Sequence, residues 1–139
     1  IVLKKRDNFR KAFDDFDMET ISEYDEQKIL ELQINKEIIR NKLKIRAAVN
    51  NAQKCLELVD QHGSFSNYLW NFVKGHPIVN RWKRIDEIPA KSSLSDKISV
   101  NMKKLGFKFF GSTVCYAHLQ AVGMVNDHTI NCFRYKELT

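Results

Sequence analysis

Met102-Lys103-Lys104-Leu105-Gly106-Phe107-Lys108-Phe109-Phe110-Gly111-Ser112-Thr113-Val114-Cys115-Tyr116 is the stretch whose reading decides the fold. Two helical segments flank a short turn bracketed by Gly106 and Gly111, and Lys108 sits among three phenylalanines, so the shape expected is a helix-hairpin-helix. Gly106 suits a left-handed position after Lys104 and Leu105, and Gly111-Ser112 lets the chain re-enter a helix with unpaired N–H groups at its start. A helix start with a small residue and a nearby lysine suits a phosphate oxygen. The competing reading is a helical hairpin that only closes a core, with its phenylalanines inward and Lys108 solvated.

Working outward, the chain of 139 residues is long enough for one domain with its own core, and 43% hydrophobic with 29% charged residues is ordinary for a globular protein. No apolar run approaches a membrane span and no leader is evident, so a cytoplasmic protein without membrane contact is expected. Three cysteines in separate contexts argue against a disulfide framework. The net charge of +6 favours an anionic partner. It is concentrated in Lys36, Arg40, Lys42, Lys44 and Arg46 and again in Lys91, Lys97, Lys103, Lys104 and Lys108, which suits either a phosphate backbone or a solvated face.

Periodicity predicts helices and nothing else. Phe9, Ala12, Phe13 and Phe16 place one helix over Lys4 to Phe16; Asp17 caps a turn at Met18–Ser22; Asp25 starts a helix with Ile29, Leu30 and Leu32 inward. Asn35 is expected to cap the longest helix, carried by Ile38, Ile39, Leu43, Ile45, Val49, Ala52 and Leu56 to Gly63. Cys55 lies on its apolar side as a small buried residue. Ser64 caps a helix through Trp70 and Phe72, both expected in the core, up to Gly75. The pattern lapses from His76 to Ala90, where Trp82 among Arg81, Lys83 and Arg84 is read as lying on the protein's own surface. Helix resumes after Ser93 or Ser95, and beyond the turn Val114, Cys115, Ala117, Leu119, Ala121 and Val122 are expected to be buried. The fold class expected is all-α, a single helical domain with the hairpin motif at about 95–123.

Near the end, Asn126-Asp127-His128-Thr129-Ile130-Asn131-Cys132 carries a further signal. If a helical turn begins at Asn126 or Asp127, His128 and Cys132 share one face at metal-sharing distance; a histidine beside a buried cysteine is the plainer alternative.

Together these residues resemble the bacterial 3-methyladenine DNA glycosylase I family. The likeness runs from Val2–Arg10 through Ile38–Lys42, Asn50-Asn51-Ala52, Phe72-Val73 and Ser95-Asp96. It is most specific at Gly106–Tyr116 and at Gln120–His128 with Cys132. The resemblance implies a monofunctional hydrolase that cleaves the N-glycosidic bond of 3-methyladenine in alkylated double-stranded DNA, acting as a monomer. It implies DNA anchoring through backbone amides around Gly106–Gly111, drawing on Lys104, Gly106, Phe107, Lys108, Gly111 and Ser112. It implies a structural zinc for which His128 and Cys132 are two of four ligands. The other two ligands and the base-reading carboxylate belong to an N-terminal region of the family not represented here, so no catalytic residue is expected within these residues. The family commonly has serine and phenylalanine after the hairpin tyrosine; here Tyr116 is followed by Ala117 and His118. Tyr116 and His118 are therefore the candidate pocket residues, with His118 either replacing the serine's polar contact or serving as a core histidine. A non-catalytic DNA-binding module on the same hairpin and a protein–protein module exposing Phe107, Phe109 and Phe110 are the alternatives.

Overall fold

The computed structural model describes residues 1–139, and eight α-helices carry almost all of its regular structure. None is long and apolar enough to cross a membrane. By internal contacts the chain divides into two compact units, Ile1–Gly63 with Gly106–Phe109, and Ser64–Leu105 with Phe110–Thr139.

The first unit holds α1 (Arg6–Ala12), α2 (Met18–Ser22), α3 (Glu26–Ile34) and α4 (Lys42–His62). Asp17 and Asp25 cap α2 and α3 as expected, each carboxylate accepting the N–H three residues on, from Thr20 at 3.0 Å and Lys28 at 2.8 Å. The core is Phe13, Ile21, Ile29, Leu32, Ile38, Ile45, Val49 and Ala52. The helix expected from Lys4 to Phe16 stops at Ala12, because Asp14, Asp15 and Phe16 all take positive φ. Phe16 is consequently exposed, its ring stacked on that of buried Phe13.

Further expectations are corrected here. Leu30 faces solvent, because α3 buries only the stripe of Ile29 and Leu32. The cap of the longest helix is Asn41, whose Oδ1 accepts from Lys44 N–H at 3.1 Å, and not Asn35, whose Oδ1 closes a local turn onto Glu37 N–H at 2.9 Å. Residues 35–41 are thus a loop pinned by Ile38, which is almost wholly buried, while Ile39 and Leu43 are exposed. Cys55 is only half-buried, and burial alone pushes its thiol pKa up.

The second unit holds α5 (Phe65–Trp70), α6 (Ser93–Lys104), α7 (Ser112–Ala121) and α8 (Phe133–Glu137). Ser64 caps α5, accepting from Asn67 N–H at 2.9 Å, and the helix runs on as a tighter turn to Val73. Trp70 and Phe72 are half-buried rather than core. Ser92, at the position before the predicted start, caps α6 in a reciprocal box with Ser95. Helices α6 and α7 pack together, burying Ile98 and Met102 on one and Cys115, Tyr116 and Leu119 on the other.

Val114, Ala117, Ala121 and Val122, expected in the core, are exposed, since α7 buries one narrow stripe and its other positions face outward. The helical reading also missed a short parallel pairing of β1 (Ile78–Val79) with β2 (Val125–Asn126), in register Ile78 to Val125 and Val79 to Asn126. Two residues per strand are too few to show alternation.

Candidate functional site

The turn of the hairpin and the helices around it fall in different units, and each has its own supports. In the first unit, Gly106 adopts φ +98°, the left-handed position its place in the sequence predicted. Phe107 is 7% exposed, its side chain turned to the interior. Lys108 is exposed. Phe109 is 55% exposed and, unusually for a bulky residue, sits at φ +58°.

What holds this turn is a pair of asparagines on α4. Asn50 Nδ2 donates to Gly106 O at 2.8 Å; Asn51 Nδ2 donates to Lys108 O at 2.8 Å, and Asn51 Oδ1 accepts Lys108 N–H at 2.9 Å. A left-handed phenylalanine costs about 1–2 kcal/mol, and three such hydrogen bonds at about 1 kcal/mol each offset it. The Lys44 ammonium lies 5.8 Å from the Phe109 ring centroid. Lys108 thus offers a side-chain charge, while its N–H is committed to Asn51. Of the first basic cluster, Arg46 is committed to Glu26 through two bonds of 2.8 and 2.9 Å, and Lys36, Arg40, Lys42 and Lys44 are exposed.

In the second unit, Gly111 is the N-cap of α7, with ordinary φ −79° and no side-chain cap. The first backbone bond of the helix runs from Cys115 N–H to Gly111 O at 2.8 Å, so the earlier amides precede the helical ladder and are open to an acceptor. The Ser112 hydroxyl is not among the open donors, because it donates to Asp96 Oδ1 at 2.5 Å and meets Ser95 Oγ at 2.8 Å. Lys104 is exposed in the last turn of α6.

The candidate pocket residues are placed differently from one another. Tyr116 is buried and donates its hydroxyl to Asp127 Oδ2. Burial first, and then this carboxylate, raise its pKa well above the usual phenol. His118 is half-buried, edge-on to the Phe110 ring with centroids 6.2 Å apart, and burial holds its imidazole below the ordinary pKa. A recess of about 430 Å³ nearby is lined by Ala117, Gln120, Gly123, Asp127 and His128, not by Tyr116 or His118.

Asp127 is the organising carboxylate of this unit. Oδ1 accepts from Asn80 Nδ2 and Trp82 Nε1, both at 2.7 Å, and Oδ2 from Tyr116 and from Gln120 Nε2 at 2.9 Å. Burial pushes its pKa up, but the four donors together bring it below the usual carboxylate value. Trp82 is therefore a half-buried hydrogen-bond donor and not a surface aromatic among cations.

His128 and Cys132 lie side by side, with Nδ1 3.7 Å from Sγ. They reach this without the helical turn expected at Asn126: Asn126 is in β2, His128 N–H bonds to Asn126 Oδ1, and Cys132 is the N-cap of α8. A tetrahedral zinc with bonds of about 2.0–2.1 Å to nitrogen and about 2.3 Å to sulfur needs a separation of about 3.6 Å, so the pair fits. No third His, Cys, Asp or Glu joins them in a metal-binding group.

Compared with known proteins, residues 1–135 match the family model described as methyladenine glycosylase. The chain belongs to the methyladenine glycosylase family. It is 40% identical to DNA-3-methyladenine glycosylase 1 of Escherichia coli (strain K12) over 134 residues, covering 96% of this chain and 72% of that protein. It is 38% identical to the DNA-3-methyladenine glycosylase of Haemophilus influenzae, covering 94% and 71%. Among solved structures, the fold superposes on 3-methyladenine DNA glycosylase I from Staphylococcus aureus with a TM-score of 0.89, at 30% identity, over 94% of this chain and 70% of that one. The helical, glycosylase-like architecture expected from the sequence is thus found, with one short strand pairing added to it.

In this glycosylase chain sequence reasoning gave no bonding role to Asn50, Asn51 and Asn80, and it read Trp82 as a surface residue. The adjacent asparagines in the middle of an apolar helix, where asparagine is a poor choice, were the available signal.

Proposed function

We propose that this glycosylase releases 3-methyladenine from alkylated DNA by hydrolysing the C1′–N9 bond, and that the residues described here hold the DNA for that reaction. Methylation at N3 leaves the base cationic. As the C1′–N9 bond breaks, its electron pair neutralises that charge, water forms the new bond to C1′, and a water proton passes to solvent. The leaving base therefore needs little acid catalysis, and the protein's work is capture and positioning of a flipped nucleotide.

The observation that carries this reading is the exposed, basic, asparagine-braced hairpin in a chain of this family. In the second unit, unbonded amides at the start of α7 suit a phosphate oxygen, and the side chains of Lys104 there and of Lys108 in the first unit each offer charge without reading base sequence. Tyr116 and His118 serve the packing around Asp127 and Phe110. Asp127 itself has both oxygens occupied and is a structural carboxylate, not the group that reads a cationic base. The carboxylate for that task is assigned to a part of the protein outside these residues.

Further parts of the proposal are a cytoplasmic monomer acting on double-stranded DNA, and a structural zinc held in part by His128 and Cys132. When bound, such a zinc supplies no chemistry and ties its two further ligands, from outside these residues, to the start of α8. The test of function is incubation of the intact protein with methylated duplex DNA and chromatography of the released bases. Free 3-methyladenine with an abasic site left in the strand is expected. Tight, salt-sensitive binding of the same DNA with no base released would favour the non-catalytic DNA-binding module.

A further inference from the structure

The strongest feature not absorbed by this reading is the Asn50-Asn51 pair. Three of the four hydrogen bonds made by the two side-chain amides end on the main chain of Gly106 and Lys108; the fourth, from Asn50 Nδ2 to Asn51 Oδ1 at 3.1 Å, links the amides to each other. Asn51 pairs with both main-chain groups of Lys108 as a neighbouring strand would, although it sits on a helix. Between and after the clamped residues the side chains go opposite ways: Phe107 is buried, and Phe109 is exposed on a left-handed backbone. A bulky residue keeps that backbone only where its surroundings impose it, and such strain concentrates at sites that contact a ligand.

We propose that Asn50 and Asn51 are positioning residues for DNA, which fix the Gly106–Phe109 turn in the one shape that displays Phe109 and the Lys108 side chain outward. The inference rests on the DNA-glycosylase reading and deepens it. Phe109 supplies an apolar face of the kind that packs on sugars or an opened base step, and Lys108 the adjacent charge. Lys54 completes the setting by laying its stem over Gly106, within 2.8 Å of where a Cβ would lie. The clamp does not touch the scissile bond. Its loss weakens engagement of DNA and leaves the chemical step intact.

The experiment is single-turnover base excision by the intact protein as a function of DNA concentration, with the affinity for free 3-methyladenine measured alongside. For Asn51→Ala, half-saturation is expected to rise about tenfold, with the plateau rate and the affinity for the free base unchanged. Asn51→Asp keeps the acceptor for Lys108 N–H and loses the donor, so it should fall between wild type and alanine, and it carries the test should the alanine variant fail to fold. Half-saturation equal to wild type in the folded variants overturns the proposal, as does a fall in plateau and free-base affinity that matches the loss of DNA affinity. Were the wild-type protein to release no base, the glycosylase reading would fall while affinity for undamaged duplex still decided the clamp. A tenfold weaker Asn51→Ala supports it, and equal affinity ends it.

Discussion

Tyr116 on α7 and Asp127, just after β2, are joined by a buried hydrogen bond in which the phenol donates to Oδ2. Asn80, Trp82 and Gln120 share the same carboxylate, so one side chain gathers donors from α7 and from the connection around Asn80. Removing one donor from such a network leaves a buried acceptor partly unsatisfied. Tyr116→Phe is expected to destabilise the protein by about 1–3 kcal/mol, read from urea unfolding at neutral pH.

The pH dependence of stability follows from the same carboxylate. Its folded-state pKa is held below the unfolded value, so its contribution is fully present above about pH 4 and is lost as pH falls through the folded value. Tyr116→Phe removes one of the donors that lower it. Urea midpoints measured from pH 6 down to pH 2.5 should therefore fall less steeply in the variant than in wild type.

The two glycines that bracket the hairpin have different tasks. Gly106 is at φ +98°, and although the Lys54 stem could move aside for a methyl group, the backbone conformation could not follow cheaply. Gly106→Ala should cost about 1 kcal/mol or more. Gly111 is at φ −79° with open space where a Cβ would lie, so Gly111→Ala should change stability by less than about 0.5 kcal/mol. Thermal unfolding of the two variants side by side checks the contrast.

Metal content tests the pairing of His128 with Cys132. The intact protein is expected to carry one zinc per chain, and His128→Ala or Cys132→Ala should lower that occupancy, as measured by elemental analysis after dialysis against a chelator. Full occupancy in both variants would remove these two residues from the ligand set.

The legible parts of the chain were those where one residue's chemistry acts locally. Asp17, Asp25 and Ser64 announce helix starts because an oxygen three residues ahead of an N–H has one obvious use. Gly106 was legible because the turn demands a left-handed residue there. The cap at Asn41 was not, since Ile38 continues the helical spacing across a loop that it in fact pins by burial. Nor were the partners of Asp127: Asn80 and Trp82 are 47 and 45 residues away, on a connection whose only regular structure is a two-residue strand and a short turn. Asn50 and Asn51 are marked in the sequence only as poor helix formers in the middle of an apolar helix; their partners lie 56 and 57 residues away, so no local pattern names the contacts they make.

The division of labour between an anchoring hairpin and chemistry performed elsewhere is tested most directly by Lys108→Glu. The measurement is single-turnover release of 3-methyladenine by the intact protein across DNA and salt concentrations. The expected result is a higher half-saturation on every sequence, a shallower salt dependence and an unchanged plateau rate. A collapsed plateau at saturating DNA would place Lys108 in the chemical step, and an unchanged half-saturation would take the hairpin off the DNA; either would contradict the account.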